Sequence, residues 1–70
     1  MHYNDLANII RERRENLKIT QEDLAELSGV ALRTIKTIET AKGNPTLQTI
    51  NNIADVLGME LDMNLKRIRL

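Results

Sequence analysis

The amino-acid sequence predicts an all-α domain of four short helices, and three observations carry that expectation. Apolar residues return at spacings of three and four in separate stretches of the 70 residues, the period of helices with one buried face. Residues suited to helix starts, Thr20 and Thr46, and glycines suited to helix ends, Gly29 and Gly58, stand at the edges of those stretches. Residues 21–40, QEDLAELSGVALRTIKTIET, hold two short helical patterns that meet at Ser28-Gly29-Val30.

The first helix is expected over about Asp5–Glu15, with Asn4 or Asp5 as its cap and Leu6, Ile9, Ile10 and Leu17 on one face. The second starts after Thr20, a good N-cap, with Asp23 where a full capping box would have Glu. It ends at Ser28-Gly29, where glycine takes a positive φ without a Cβ clash. The third runs over about Leu32–Thr40. In the loop Ala41-Lys42-Gly43-Asn44-Pro45, the proline forbids helix continuation. Thr46 then caps a fourth helix, Leu47–Leu57, whose stripe is Leu47, Ile50, Ile53, Ala54 and Leu57, and Gly58 stops it.

The tail Met59–Leu70 reads two ways. Leu61, Met63 and Leu65 alternate with Asp62, Asn64 and Lys66, the period of a half-buried strand. Leu57, Leu61, Leu65 and Ile68 also fit helical spacing. Gly58 opposes the helix, and the lack of β-branched residues between 59 and 67 opposes the strand. Pattern alone leaves both open.

Composition excludes several classes. With no cysteine and one histidine, neither disulfides nor a structural metal can staple so small a core, which leaves self-association as the way to extend it. No apolar run approaches the roughly 20 residues of a membrane span, and the start MHYNDL lacks the regions of a signal peptide. A soluble, cytoplasmic chain, associated with the nucleoid if it binds DNA, is the expectation. His2 is expected to be disordered. Glu12, Glu15, Glu22, Asp23 and Glu26 read as solvated helix faces, and no Ser or Cys nucleophile lies near a base. Neither an enzyme nor a cofactor is expected.

Net charge is zero, yet its distribution is uneven. Residues 1–30 hold six acidic and four basic side chains, whereas residues 31–48 hold Arg33, Lys36 and Lys42 against Glu39 alone. The positive excess falls on the third helix and the loop after it. Residues 21–40 read as a helix-turn-helix: Ala25 is small where two helices cross, Gly29 makes the turn, and Ile35 and Ile38 anchor the second helix. Its other side, with Arg33, Lys36 and Thr37, suits a phosphate-lined groove.

Further residues carry a resemblance. Leu17-x-Ile19-Thr20-Gln21-x-x-Leu24-Ala25, Gly29-Val30, Thr34-Ile35-x-x-Ile38-Glu39, Asn44-Pro45-x-Leu47 and Leu57-Gly58 resemble the phage-repressor (XRE) helix-turn-helix family over residues 6–59. The tail Leu57-Gly58-Met59-Glu60-Leu61-Asp62-Met63-Asn64-Leu65 is similar to the end of HipB-type antitoxins, partners of HipA-type kinase toxins. The resemblance implies a lambda-repressor-like fold with a short C-terminal β-strand that pairs across a homodimer, placing dimerisation in residues 59–66 at Leu61, Met63 and Leu65. Two positions depart from the pattern. Ala31 stands where the family often caps the third helix with Ser or Thr, a loss of about 1 kcal/mol. Ala41 stands where the family favours glycine, and Gly43 is expected to take over the tight conformation.

Within one domain, 1–70, roles can be assigned. Arg33 is expected to grip guanine O6 and N7, since helix N-terminal residues enter the major groove deepest in this motif. Leu32 either meets a thymine methyl or folds back beneath Val30. Thr37 suits a base edge or a phosphate, and Ala31 is near enough to approach bases. Gln21, Thr34, Lys36, Thr40, Lys42 and Gly43 are expected on phosphates, which set register and affinity; the resemblance implies the same for Gln21 and for the loop. Arg14 shares the inward face of Ile10 and Leu17, and Glu39 that of Ile35. Facing opposite charges suggest a partly buried structural ion pair, which the resemblance also implies. The expected function is a repressor that binds a palindromic operator in double-stranded DNA as a homodimer and acts as autorepressor and antitoxin of a HipA-type kinase toxin. The alternatives are a stand-alone phage or restriction-system repressor, and a protein-binding module that has lost DNA recognition.

Overall fold

The computed structural model describes residues 2–62 as four helices in chain order: α1 (Tyr3–Asn16), α2 (Gln21–Ser28), α3 (Leu32–Glu39) and α4 (Leu47–Val56). Their inward faces meet in one core of Ile10, Leu24, Val30, Ile35, Ile38, Ile50, Ile53 and Leu57, against which Leu6, Ile19, Ala25, Val56 and Met59 pack. The α3 helix packs on both α1 and α2, and α4 closes on α2. Two anchoring isoleucines, Ile35 at 0% exposure and Ile38 at 3%, fix which side of α3 faces out.

The helix starts are set by local chemistry. At α2 the Asp23 N–H donates to Thr20 Oγ1 at 3.0 Å, and the Thr20 N–H donates to the Asp23 carboxylate at 2.9 Å, so aspartate completes the reciprocal box. At α4 the Thr49 N–H donates to Thr46 Oγ1 at 3.1 Å. The α1 start differs from the expected cap at Asn4 or Asp5. His2, expected to be disordered, is the residue before the first helical turn, and its N–H donates to Asp5 at 3.4 Å.

Three helices end in the same way. The N–H two residues past each C-cap returns to a carbonyl in the last turn: Ile19 to Arg14 at 3.2 Å, Lys42 to Thr37 at 3.0 Å and Met59 to Ala54 at 2.9 Å. This motif needs a left-handed residue between. Gly58 fills it for α4 with φ 69°, but Lys18 (φ 59°) and Ala41 (φ 61°) fill it for α1 and α3. The expectation that Gly43 would take over from Ala41 is therefore corrected: both residues are left-handed, because the bond from Lys42 closes α3 through Ala41 itself. An alanine there carries strain of about 1 kcal/mol or more. Ala41→Gly is expected to stabilise the domain by about 1 kcal/mol, raising Tm by about 4–8 °C in thermal unfolding.

Three apolar positions of the expected stripes are exposed, and Ile9 of α1, at 37%, is the first of them. Leu17 is the C-cap of α1, outside its helical face, and is 40% exposed. Leu47 opens α4 and is 71% exposed, because the core begins one turn later at Ile50. Arginines of α1 hold the ends of other elements. Arg13 Nε donates to the Leu57 carbonyl at 2.8 Å and Arg11 Nη1 to the Glu39 carbonyl at 3.3 Å, satisfying C-terminal carbonyls that the helices leave open.

Residues 59–62 form no regular element. Among the described residues there is no strand, and residues 63–66 of the expected strand lie outside them. Leu61 is 38% exposed and lines, with Leu6, Ile9 and Met59, a largely apolar groove between α1 and α4. Met63 and Leu65 lie outside the described residues.

Candidate nucleic-acid interface

The turn between α2 and α3 is built from Gly29 with φ 73°, whose N–H donates to Ala25 at 3.0 Å. The Ser28 hydroxyl donates to Leu24 at 2.6 Å and accepts from the Val30 N–H at 3.2 Å. With Val30 buried behind the turn, the start of α3 is thrust outward at Ala31.

Two clefts flank α3 there. One, of about 320 Å³, is lined by Ala31, Arg33, Thr34, Thr37, Ile38 and the loop Lys42–Pro45. The other, of about 400 Å³, is lined by Leu32, Arg33, Lys36, Thr37 and Thr40. Arg33 and Thr37 belong to both and form the ridge between them. Nine of the ten residues proposed above for bases and phosphates therefore share one surface, and Gln21 is the one set apart. Arg33, Lys36, Lys42, Thr40, Ala31 and Gly43 are exposed, while Leu32, Thr34 and Thr37 are half-buried. Leu32 thus lies partly inward while still lining a cleft.

Hydroxyl geometry refines what each threonine can do. Thr37 Oγ1 donates to the Arg33 carbonyl at 2.8 Å, so toward solvent it can only accept. That suits an adenine or cytosine amino group better than a phosphate. Its methyl lies close to the loop, since a Cβ on Gly43 would sit 2.8 Å from Thr37 Cγ2. Thr40 Oγ1 likewise donates inward, to Lys36 and Thr37 carbonyls at 3.1 and 2.9 Å, and must turn to donate to a phosphate. The loop is clasped from the far end of the chain by Tyr3, whose hydroxyl donates to Asn44 Oδ1 at 2.9 Å. No local pattern signals that contact.

Ala31 offers α3 no side-chain cap, so the first N–H groups of α3 face the cleft without one. Ala31→Ser is expected to stabilise the domain by about 1 kcal/mol, seen as a higher urea midpoint at unchanged slope.

Behind the interface lies a buried polar centre. Glu39, 4% exposed, accepts from Arg14 Nε at 2.8 Å and from Arg14 Nη2 at 2.9 Å. Arg14 also donates to the Ile19 carbonyl at 3.0 Å, and Gln21 Nε2 donates to Glu39 at 3.2 Å. The hydrogen bond with Glu39 pushes the Arg14 guanidinium pKa up, burial opposes this, and the Glu39 charge adds to the rise. Glu39 is the one acid among residues 31–48, and its charge is held inside by Arg14. Arg33, Lys36 and Lys42 thus face outward with no carboxylate from their own segment, more positive than a net count implies.

Among the described residues, no group of His, Cys, Asp and Glu could hold a metal ion, and no helix is long and apolar enough to cross a membrane.

Two helices joined at a glycine turn, the second braced from behind and open in front, define a helix-turn-helix domain. The sequence model of the helix-turn-helix family matches residues 10–64. A protein of Methanothermobacter thermautotrophicus named an uncharacterized HTH-type transcriptional regulator is 42% identical over 55 residues, 79% of this chain and 80% of that protein. The chain belongs to the helix-turn-helix family, of the XRE type.

Proposed function

We propose that the chain is a sequence-specific DNA-binding transcriptional repressor that acts as a homodimer on an inverted-repeat operator. The observation that carries this reading is the Arg33–Thr37 ridge between two clefts, flanked by the outward-facing Lys36 and Lys42. Each protomer would lay α3 in a major groove, with half-sites about one helical turn apart. Arg33, Thr37, Leu32 and Ala31 would meet base edges, while Lys36, Lys42, Gly43, Thr34, Thr40 and Gln21 would meet the backbone. Selection from a random duplex library tests it. Enrichment of an inverted repeat is expected; no enrichment at low salt, with a flat salt dependence, would sink DNA reading and favour a protein-binding module.

The tail supports a finer reading, an antitoxin that also holds a HipA-type kinase toxin. In that reading residues 59–66 pair with their twin as a strand, and Leu61, Met63 and Leu65 cover the core across the dimer. The exposed Leu61 beside an apolar groove is compatible with such a cover. Tagged protein drawn from its native cells should bring down a larger kinase-like partner. Recovery without one would leave a stand-alone repressor.

A further inference from the structure

We propose that Asn44 is a further contact for the DNA backbone, its side-chain NH2 donating to a phosphate, and that Tyr3 is the positioning residue that holds this amide in place. The inference rests on the DNA-binding reading above and adds two residues to it.

The cleft between α3 and the loop Lys42–Pro45 has the chemistry of an anion seat. Arg33, Lys42 and Asn44 line it, and no Asp or Glu does. The N–H groups of Gly43 and Asn44 take no partner among the described residues, so the loop offers further donors. Cations and open donors without a carboxylate suit a group that carries negative charge and only accepts hydrogen bonds. A backbone phosphate is such a group.

Asn44 fits that seat because of the way its amide is turned. The Tyr3 hydroxyl donates to Asn44 Oδ1 at 2.9 Å, which engages the carbonyl end and leaves the NH2 end, with its two protons, as a donor on an exposed loop residue. The opposite orientation would show the anion a second acceptor. Tyr3 opens α1 and lies 41 positions from Asn44 in sequence, so the brace comes from outside the two helices of the turn. The loop is also held close to α3, since a Cβ on Gly43 would sit 2.8 Å from Thr37 Cγ2. Asn44 is thus tied to α1 by its side chain and to α3 through its neighbour. A side chain held beforehand gives up less rotamer freedom on binding than one that turns freely.

The test uses the inverted-repeat duplex obtained by selection, with its phosphates replaced one at a time by uncharged methylphosphonates. Asn44→Ala is expected to weaken binding to the unmodified duplex about five- to tenfold. At one symmetric pair of phosphates, replacement should weaken the unaltered chain but cost Asn44→Ala several-fold less, as a shared contact requires. Tyr3→Phe should weaken binding about two- to threefold, and its effect should shrink at that same pair. A structural role for Tyr3 would instead lower affinity for every duplex alike, and that result would overturn its part. Replacement losses in Asn44→Ala that match the unaltered chain at every phosphate would overturn the contact. Should a variant fail to fold, the unaltered chain still decides. The Asn44 side-chain NH2 resonances should move when the unmodified duplex is added, and resonances unmoved at saturation would overturn the proposal. Unchanged binding by Asn44→Ala removes this inference and leaves DNA reading standing, whereas no duplex binding by the unaltered chain at low salt removes both.

Discussion

Arg14→Ala is expected to lower stability by about 3–5 kcal/mol, because it strands a carboxylate that is 4% exposed. A domain of this size holds about 4–10 kcal/mol in total, so a melt followed by circular dichroism should shift down by about 15–30 °C. Glu39→Ala should cost less. The guanidinium it leaves behind keeps its bond to the Ile19 carbonyl and has a long stem with which to reach water. Equal losses from the two variants would show that water already enters the site. Replacing both residues with apolar ones of similar volume should recover much of the loss. The raised pKa of Arg14 means that its contribution is fully present below its unfolded pKa and disappears only as pH rises through the higher folded value. Across the neutral range this arginine should give no pH dependence.

Arg33→Ala should show the opposite profile. The side chain is exposed, so stability is expected to move by less than about 0.5 kcal/mol. Affinity for the preferred duplex should fall about 10- to 100-fold, the loss confined to one symmetric pair of positions, where sequence preference relaxes. Competition binding against duplexes changed at each position would measure this. A uniform loss across all duplexes, with a salt slope shallower by about one, would instead place Arg33 on a phosphate.

The parts of the fold that were legible in the sequence are those set by neighbours along the chain. Thr20, Thr46, Gly29 and Gly58 bound helices through contacts within a few residues, and Ile35 and Ile38 orient α3 by spacing alone. The same spacing places Arg33 and Lys36 away from the core. Apart from the facing charges of Arg14 and Glu39, contacts between distant residues were not legible. Tyr3 on Asn44, Arg13 on the Leu57 carbonyl and Gln21 on Glu39 join polar groups whose neighbours in sequence carry no trace of the partner. The left-handed Lys18 and Ala41 were missed because such sites are expected to be glycine, and here hydrogen-bonded closure outweighs the steric cost. Leu47 shows the limit of periodicity, which extends an apolar stripe past the point where the core ends.

The clasp between Tyr3 and Asn44 has an optical consequence. Tyr3 is the chain's one tyrosine, and there is no tryptophan or phenylalanine. Near-ultraviolet absorption and emission from aromatic side chains therefore arise from a single phenol, whose hydroxyl is tied to the loop that carries Lys42 and Gly43. The unlabelled protein has a built-in chromophore at the edge of its candidate interface, and its spectrum reads the state of that loop without background from elsewhere in the chain.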